Sequence, residues 1–127
     1  MHYILIADDD KELCETLADC IRMQLDNKNL YEIIYAHTPI EVEEQLQNYN
    51  VSLCLLDLLF EGFGMVDPIG LASRYPDTYF VIISAYLDTL KPDNLMFFIS
   101  KPLVFDKIIK VLGLVLNNEP PTPLSVQ

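Results

Sequence analysis

The sequence has few basic residues, few cysteines and no long apolar run, and each shortage excludes a class of protein. Its 8 Lys and Arg stand against 19 Asp and Glu, for a net charge of -11, which opposes binding to the phosphate backbone of nucleic acids. The same charge suits a cation site or a basic protein partner. No apolar run approaches the roughly 18 residues of a membrane span. The start, MHYILIADDD, lacks the basic region and long apolar stretch of a signal peptide. We therefore expect a cytoplasmic protein that binds neither nucleic acid directly nor a membrane.

The three cysteines, Cys14, Cys20 and Cys54, are odd in number and form no C-x-x-C pair. This spacing favours neither a zinc site nor a disulfide framework. All three lie within apolar patterns, and we expect small buried side chains. The 127 residues, 51% of them apolar, suit one domain with its own core.

Five short apolar runs alternate with segments of helical periodicity. The runs are residues 3–7, 32–36, 51–56, 79–83 and 96–100. Most are continuously apolar, as in strands whose two faces are both covered. Strands that alternate with helices predict an α/β fold, a mostly parallel doubly wound sheet with helices on both faces.

Four segments predict helices: residues 11–25, 38–48, 66–74 and 104–116. The second opens with TPIE, where Thr38 is suited to the N-cap, Pro39 to the first helical position and Glu41 to the capping box. Before the last strand there is only AYLDTLKPDNL, in which Pro92 interrupts any helix. The polar, proline-rich residues 118–127 are predicted to be a disordered tail or linker.

Polar side chains stand at four of the predicted strand ends, where open α/β sheets bind ligands. They are Asp8, Asp9 and Asp10 after the first strand, Asp57 in the third, Ser84 after the fourth and Lys101 after the fifth. The aspartate run is also suited to helix capping, Ser84 to a turn and Lys101 to the solvated surface. Asp57 is harder to explain structurally, because a carboxylate in an apolar strand is costly without a partner.

Together these side chains suit phosphoryl chemistry. Clustered carboxylates repel each other unless a divalent cation lies among them, and Mg²⁺ prefers oxygen ligands. An aspartate beside such a cation can attack phosphorus as a nucleophile. A lysine and a hydroxyl can hold the phosphoryl oxygens as charge shifts in the transition state.

The motifs ILIADDD, LCLLDLLFEG, VIISA and FFISKP resemble those of the CheY-like receiver domain of bacterial two-component response regulators. The resemblance covers the chain to about residue 116. It implies a receiver domain over residues 1–117, with a five-stranded parallel sheet of flavodoxin-like order 2-1-3-4-5. It also implies a phosphoprotein of phosphorelay signalling, a switch that catalyses only its own phosphorylation and dephosphorylation and is not otherwise an enzyme.

The resemblance assigns residues to phosphorylation and to metal binding. Asp57 matches the phosphoacceptor, which takes phosphate from a sensor histidine kinase or a phosphotransfer protein. Asp8 and Asp9 match the acidic pair that holds Mg²⁺, Asp9 directly and Asp8 through water. Asp57 and the backbone carbonyl of Leu59 would be further ligands.

The resemblance also assigns a switch. Ser84 matches the switch hydroxyl and Phe98 the switch aromatic, which turns inward on activation. Lys101 matches the lysine that pairs with the phosphoryl group, and Lys101–Pro102 matches a cis peptide of the family. Asp10 has no role in this scheme, and we interpret it as a helix cap.

The sequence departs from the family pattern at two places, and the second bears on output. Glu61 stands where the family usually has proline, and the stretch between Ser84 and Lys101 is shorter than usual, which implies a shortened or missing fourth helix. That helix forms much of the surface by which receivers dimerise or engage targets. The expected partners are a downstream protein, a missing output domain or a second copy of the chain.

Two alternatives stay open. One is a degenerate receiver that binds proteins without phosphate. The other is a magnesium-dependent phosphatase of the haloacid dehalogenase type, since ILIADDDKE contains a D-x-D pattern at the end of a strand. Lys11, where that family usually has Thr or Val, and the short chain oppose the second alternative.

Overall fold

The computed structural model describes residues 2–24, 31–84, 96–100 and 125–126. Eight strands, numbered in chain order, are β1 His2–Ala7, β2 Tyr31–Ala36, β3 Val51–Asp57, β4 Leu59–Phe60, β5 Gly64–Met65, β6 Tyr79–Ser84, β7 Met96–Ser100 and β8 Ser125–Val126. Six of them form one sheet of order β2-β1-β3-β6-β7-β8, and β4 pairs with β5 in a separate hairpin.

The five predicted strands are confirmed to within one residue at each end, as β1, β2, β3, β6 and β7. All neighbours among them pair in parallel. Their spatial order is the predicted 2-1-3-4-5. Parallel pairing brings the carboxyl ends of these strands to one edge of the sheet, where the sequence places its polar residues.

β8 lies in the segment predicted to be a disordered tail or linker. It pairs in parallel with β7, with Ser125 opposite Phe98 and Val126 opposite Ile99. This part of the tail therefore adds an edge strand to the sheet. The division into a domain of residues 1–117 and a tail stays a prediction, because residues 101–124 lie outside the described ranges.

Three helices are described: α1 Lys11–Gln24, α2 Pro39–Asn48 and α3 Pro68–Arg74. In this part of the chain no helix is long and apolar enough to cross a membrane. The predictions of a shortened fourth helix, in residues 85–95, and of a last helix over residues 104–116 lie outside the described residues.

The start of α2 follows the predicted capping pattern, with one difference. The Thr38 hydroxyl accepts a hydrogen bond from the backbone N–H of Glu41 at 3.2 Å. The Glu41 carboxylate accepts from the backbone N–H of His37 at 2.9 Å, one residue before the N-cap. The cap therefore fixes the last residue of the loop as well as the first turn of the helix.

Both faces of the sheet are covered by apolar clusters, which explains the continuous apolar runs. Along β1, Ile4 and Ile6 belong to one cluster and Leu5 and Ala7 to the other. Helix α1 covers the first cluster with Cys14, Leu17, Ala18 and Ile21. Helices α2 and α3 cover the second with Val42, Leu46, Leu71 and Ala72. Since alternate strand residues face opposite clusters, a solvated polar face is absent from β1.

Polar contacts close the amino end of the sheet and join α2 to α3. The buried Thr78 hydroxyl donates to the backbone carbonyl of Val51 at 2.6 Å. The Glu43 carboxylate accepts from the Arg74 guanidinium and from the Tyr75 hydroxyl, the latter at 3.0 Å. Burial and the neighbouring Glu43 carboxylate raise the pKa of Tyr75. The bond between Thr78 and Val51 lies at the end of the sheet away from the aspartates.

Candidate functional site

The turn from β1 into α1 is fixed by hydrogen bonds around Asp8. Its backbone N–H donates to the carbonyl of Ala36 at 3.0 Å, one residue beyond the end of β1. Its carboxylate accepts from the backbone N–H of Asp10 at 2.9 Å, a local bond that aspartate commonly makes in turns. Asp8 is only 4% exposed, so this carboxylate is held at the sheet edge and largely out of water.

Asp10 caps α1, as the sequence analysis proposed. Its carboxylate accepts from the backbone N–H of Leu13 at 3.1 Å, and its carbonyl accepts from the N–H of Cys14 at 3.1 Å. These are the bonds of an N-cap aspartate. The exposed carboxylate of Asp10 therefore serves the helix and lies outside the acidic cluster formed by its neighbours.

Asp57 is the last residue of β3, the strand between β1 and β6. It lies opposite Ile83 in the register with β6 and is 6% exposed. Leu56 and Leu58, on either side of it in the chain, are fully buried. The fold thus presents one carboxylate at the carboxyl end of an otherwise apolar central strand.

One carboxylate oxygen from each of Asp8, Asp9 and Asp57 lies within 4.8 Å of the other two. Two oxygens bound to one Mg²⁺ are at most about 4.2 Å apart, and two bound to one Ca²⁺ at most about 5 Å, judging from the usual bond lengths. The cluster therefore fits a hard divalent cation, bound directly or through a water molecule. Among the described residues, no other group of three metal-ligating side chains comes this close together.

The other residues assigned from the sequence are placed only in part. Ser84 ends β6 opposite Ser100. Phe98 lies in β7 opposite Ile82. Leu59 begins β4, two residues beyond Asp57. Lys101 lies outside the described residues. The roles of Ser84, Phe98, Lys101 and the Leu59 carbonyl stay predictions.

Asp57 is followed by a short hairpin that was not predicted from the sequence. In β4 and β5, Leu59 lies opposite Met65 and Phe60 opposite Gly64. Gly62 has φ +84° and Gly64 has φ +100°, a backbone conformation that residues with a Cβ rarely adopt. In the sequence, the signal for this hairpin was a pair of glycines, separated by a single residue, after an apolar run.

The hairpin contacts the acidic cluster through its turn. The backbone N–H of Glu61 donates to the Asp9 carboxylate at 3.3 Å. Asp9 is only partly buried, and this bond ties its side chain to the loop after Asp57. Glu61, the residue in the place of the usual proline, supplies an N–H that proline lacks.

Comparison with known proteins supports the fold alone. No protein-family model and no curated protein matches the sequence. Solved structures do match. The non-phosphorylated HemR receiver domain from Leptospira biflexa has a TM-score of 0.73 and 23% identity, over 95% of this chain and 98% of that one. The chain has the receiver-domain fold.

Two further receiver structures show the same likeness at lower identity. A CheY-like receiver domain protein from Methanospirillum hungatei has a TM-score of 0.70 and 18% identity, over 92% of this chain and 95% of that one. A response regulator from Burkholderia pseudomallei, solved with a phosphorylated aspartic acid, a calcium ion and citrate, has a TM-score of 0.67 and 16% identity. That match covers 92% of this chain and 70% of the other.

His37 lies beside the acidic cluster, although it follows the second strand and belongs to none of the motifs on which the site was predicted. In the receiver fold β2 is the neighbour of β1, and the Nδ1 atom of His37 lies 2.9 Å from the carbonyl oxygen of Asp8. The Cys14 thiol donates to the same oxygen at 3.5 Å.

The predicted burial of the cysteines is confirmed for Cys14 and Cys54, whereas Cys20 is only partly buried. Burial, and after it the charges of Asp8 and Asp10, raise the pKa of Cys14 to about 12. The Cys14 thiol is therefore neutral near neutral pH and can act as a hydrogen-bond donor beside the carboxylates.

An open cleft of about 480 Å³ lies beside the cluster, between the β1–α1 turn, the start of α2 and the β4–β5 hairpin. The residues that line it include the acidic Asp9, Glu41 and Glu61, together with Lys11 and His37. The cleft gives Asp9 access to solvent on a predominantly acidic surface. A cation or a basic protein segment is the kind of ligand that such a surface attracts.

Proposed function

We propose that this chain is the phosphoacceptor receiver domain of a two-component response regulator, with Asp57 as the acceptor. The observation that carries the proposal is the carboxylate of Asp57 at the end of the central strand, within 4.8 Å of those of Asp8 and Asp9. This arrangement suits phosphorus chemistry because a nucleophile and a cation site share one edge of a parallel sheet. The receiver-domain fold supports the same conclusion.

In the proposed reaction, a carboxylate oxygen of Asp57 attacks the phosphorus atom of a phosphohistidine. The O–P bond to aspartate forms as the N–P bond to the histidine ring breaks, and the electron pair remains on the ring nitrogen. Mg²⁺, the proposed cofactor, would supply positive charge that offsets the negative charge gathering on the phosphoryl oxygens. Asp8 and Asp9 would hold the cation, with Asp57 and the Leu59 carbonyl as further ligands.

The residues of the chain have distinct parts in this scheme. Asp8, fixed by its bonds to Ala36 and Asp10, keeps one carboxylate in place before the cation arrives. Lys101 would pair with the phosphoryl group, and Ser84 would hydrogen-bond to its oxygen.

The proposed output is a change of surface. A phosphoryl group adds about -1.5 to -2 charges at Asp57. Ser84 would move toward it, and Phe98 would turn into the vacated space, so that a local change of charge alters the face presented to partners. The domain is then a signalling switch rather than an enzyme with an external product.

The proposed partners are a histidine kinase or phosphotransfer protein upstream. Downstream, the partner is another protein, an output domain or a second copy of the chain. The acidic surface opposes direct nucleic-acid binding. We place this signalling in the cytoplasm.

Intact-protein mass spectrometry after incubation with acetyl phosphate tests the proposal. Wild type should gain one phosphoryl group in the presence of Mg²⁺ and none in EDTA, and Asp57→Asn should gain none. The matched control is Asp67→Asn, which neutralises an exposed aspartate outside the acidic cluster and should leave the gain unchanged. A folded wild type that takes up no phosphoryl group from acetyl phosphate or from a phosphohistidine protein would refute the proposal and favour the phosphate-independent binding module.

The phosphatase alternative is weakened by the position of Asp10. The second aspartate of a D-x-D pattern has to reach the substrate, whereas Asp10 accepts the N–H of Leu13 as a helix cap. Release of inorganic phosphate from small phosphate esters by wild type, lost in Asp10→Asn, would reinstate that alternative.

A further inference from the structure

We propose that His37 is a positioning residue of the acidic site, which holds the peptide between Asp8 and Asp9 in the orientation that a cation needs. The inference rests on the proposed function, in which these two carboxylates hold a divalent cation. In the sequence, His37 lies outside every motif that predicts the site. Its place in the structure, at the joint between β2, α2 and the β1–α1 turn, supplies one.

The hydrogen bond from His37 fixes the tautomer of the ring. Nδ1 lies 2.9 Å from the backbone carbonyl oxygen of Asp8, and a carbonyl oxygen can only accept. The hydrogen of the neutral ring is therefore on Nδ1, and Nε2 carries the lone pair. The Cys14 thiol, 3.9 Å from Nδ1, donates to the same oxygen at 3.5 Å. The Asp8 carbonyl thus accepts from two side chains at once.

The ring is itself held in place from α2. The backbone N–H of His37 donates to the carboxylate of Glu41 at 2.9 Å. The next residue, Thr38, is the N-cap of α2. The ring of Tyr35 stacks on the His37 ring, with centroids 6.2 Å apart and planes 14° apart. His37 therefore joins the capped start of α2 to the turn that carries the aspartates.

The bond matters for metal binding because of where the carbonyl lies. The carbonyl of Asp8 belongs to the peptide that links Asp8 to Asp9, so its direction sets how the two carboxylates are oriented relative to each other. The N–H on the other side of Asp8 is held by Ala36. With His37 in place, both peptides of Asp8 are fixed against the repulsion between neighbouring carboxylates. Without it, the Asp8 carbonyl would keep the longer bond from the Cys14 thiol and lose its bond from the ring.

The first test requires no variant. A long-range ¹H–¹⁵N NMR spectrum of the histidine rings in the cation-free protein, at a pH where the ring is neutral, identifies which nitrogen carries the hydrogen. We expect the Nδ1–H form for His37. The more usual Nε2–H form would overturn the proposal, because Nδ1 could then donate nothing to Asp8.

The second test measures Mn²⁺ affinity by electron paramagnetic resonance of the free ion, in wild type, His37→Leu and His37→Asn. Loss of groups that orient metal ligands typically weakens affinity 10–100-fold, and we expect about tenfold for His37→Leu because the bond acts through the backbone. Asn places an N–H donor near the position of Nδ1, so His37→Asn should recover most of the affinity. His2→Leu is the matched control: His2 is exposed, contacts Ser52, and should leave the affinity unchanged.

The outcomes separate this inference from the proposed function. Equal Mn²⁺ affinity in wild type and a folded His37→Leu would overturn the inference alone. Failure of His37→Asn to improve on His37→Leu would also overturn it, because a donor at that position would then be irrelevant. Mn²⁺ binding that depends on His37, with no phosphorylation of Asp57, would reject the proposed function and keep the inference. No Mn²⁺ binding by wild type would reject the inference together with the metal site.

Discussion

Asp57→Asn should stabilise the cation-free protein. The substitution removes one of three carboxylate charges that lie within 4.8 Å of one another while keeping the shape of the side chain. In the unfolded chain Asp57 is far along the sequence from Asp8 and Asp9, so its repulsion with them exists only in the folded state. Removing that repulsion lowers the free energy of the folded protein and leaves the unfolded chain nearly unaffected.

The magnitude follows from the separation of the oxygens. At 4.8 Å, the upper limit of these separations, two unit charges repel by about 3.5 kcal/mol at an effective dielectric of about 20, and by about 0.9 kcal/mol at the dielectric of bulk water. Asp57 takes part in two such pairs. Polar groups around the site and counterions absorb part of this energy, and we expect a net gain of about 1–3 kcal/mol in unfolding free energy. For a domain of this size that raises Tm by about 4–12 °C.

Thermal unfolding followed by circular dichroism in EDTA measures the effect. High salt should reduce the difference between wild type and Asp57→Asn, because it screens the repulsion. Added Mg²⁺ should stabilise wild type more than the variant and reduce or reverse the order. Asp77→Asn is the matched control, because it changes the net charge by the same amount at an exposed position. It should change the unfolding free energy by less than about 0.5 kcal/mol. A Tm of Asp57→Asn at or below that of wild type in EDTA would show that the three carboxylates do not repel as the geometry implies.

Three further predictions concern the scaffold around the site. Thr78→Val should lower the unfolding free energy by about 1–3 kcal/mol in urea titrations, because the carbonyl of Val51 loses its buried donor at 2.6 Å; no loss would mean that the bond contributes nothing. Gly64→Ala should cost about 1–2 kcal/mol by the same assay, through its φ of +100° rather than through a clash; an unchanged midpoint would contradict the positive φ. Burial raises the pKa of the Cys54 thiol above its ordinary value of 9.0, so as pH rises past that value the thiol ionises in the unfolded chain and stays protonated in the folded protein. Stability should therefore fall with pH there, and Cys54→Ala should show a shallower fall; equal slopes would contradict the shift.

The five long strands, β1, β2, β3, β6 and β7, and the first two helices could be predicted because their signals are local. Strands buried on both faces are apolar at nearly every position. The TPIE sequence at the start of α2 contains the residues of its N-cap and capping box within four positions. The parallel order followed from the alternation of strands and helices together with the motif resemblance. From that order alone, the carboxyl ends of β1 and β3 had to meet, which is why Asp8, Asp9 and Asp57 were expected together.

The β4–β5 hairpin and the contact of His37 were not predicted, for different reasons. The hairpin has two strands of two residues each, too short for any periodicity to reveal, and only Gly62 and Gly64 indicated it. His37 contacts Asp8, 29 residues away in the chain, through a single ring nitrogen. Adjacent strands predict nearness, but the direction of a ring depends on the packing of its surroundings.

By itself, the sequence determined the five long strands and the first two helices, the edge of the sheet that carries chemistry and the three carboxylates that gather there. These follow from local patterns of apolar and polar residues, because burial of each strand and capping of each helix depend mainly on nearby positions. Only the tertiary structure decided that the three carboxylates come within 4.8 Å of one another, that Glu61 bonds to Asp9 and that His37 bonds to the Asp8 carbonyl. Those distances join residues far apart in the chain, and they are set by the packing of whole elements, which no local pattern contains.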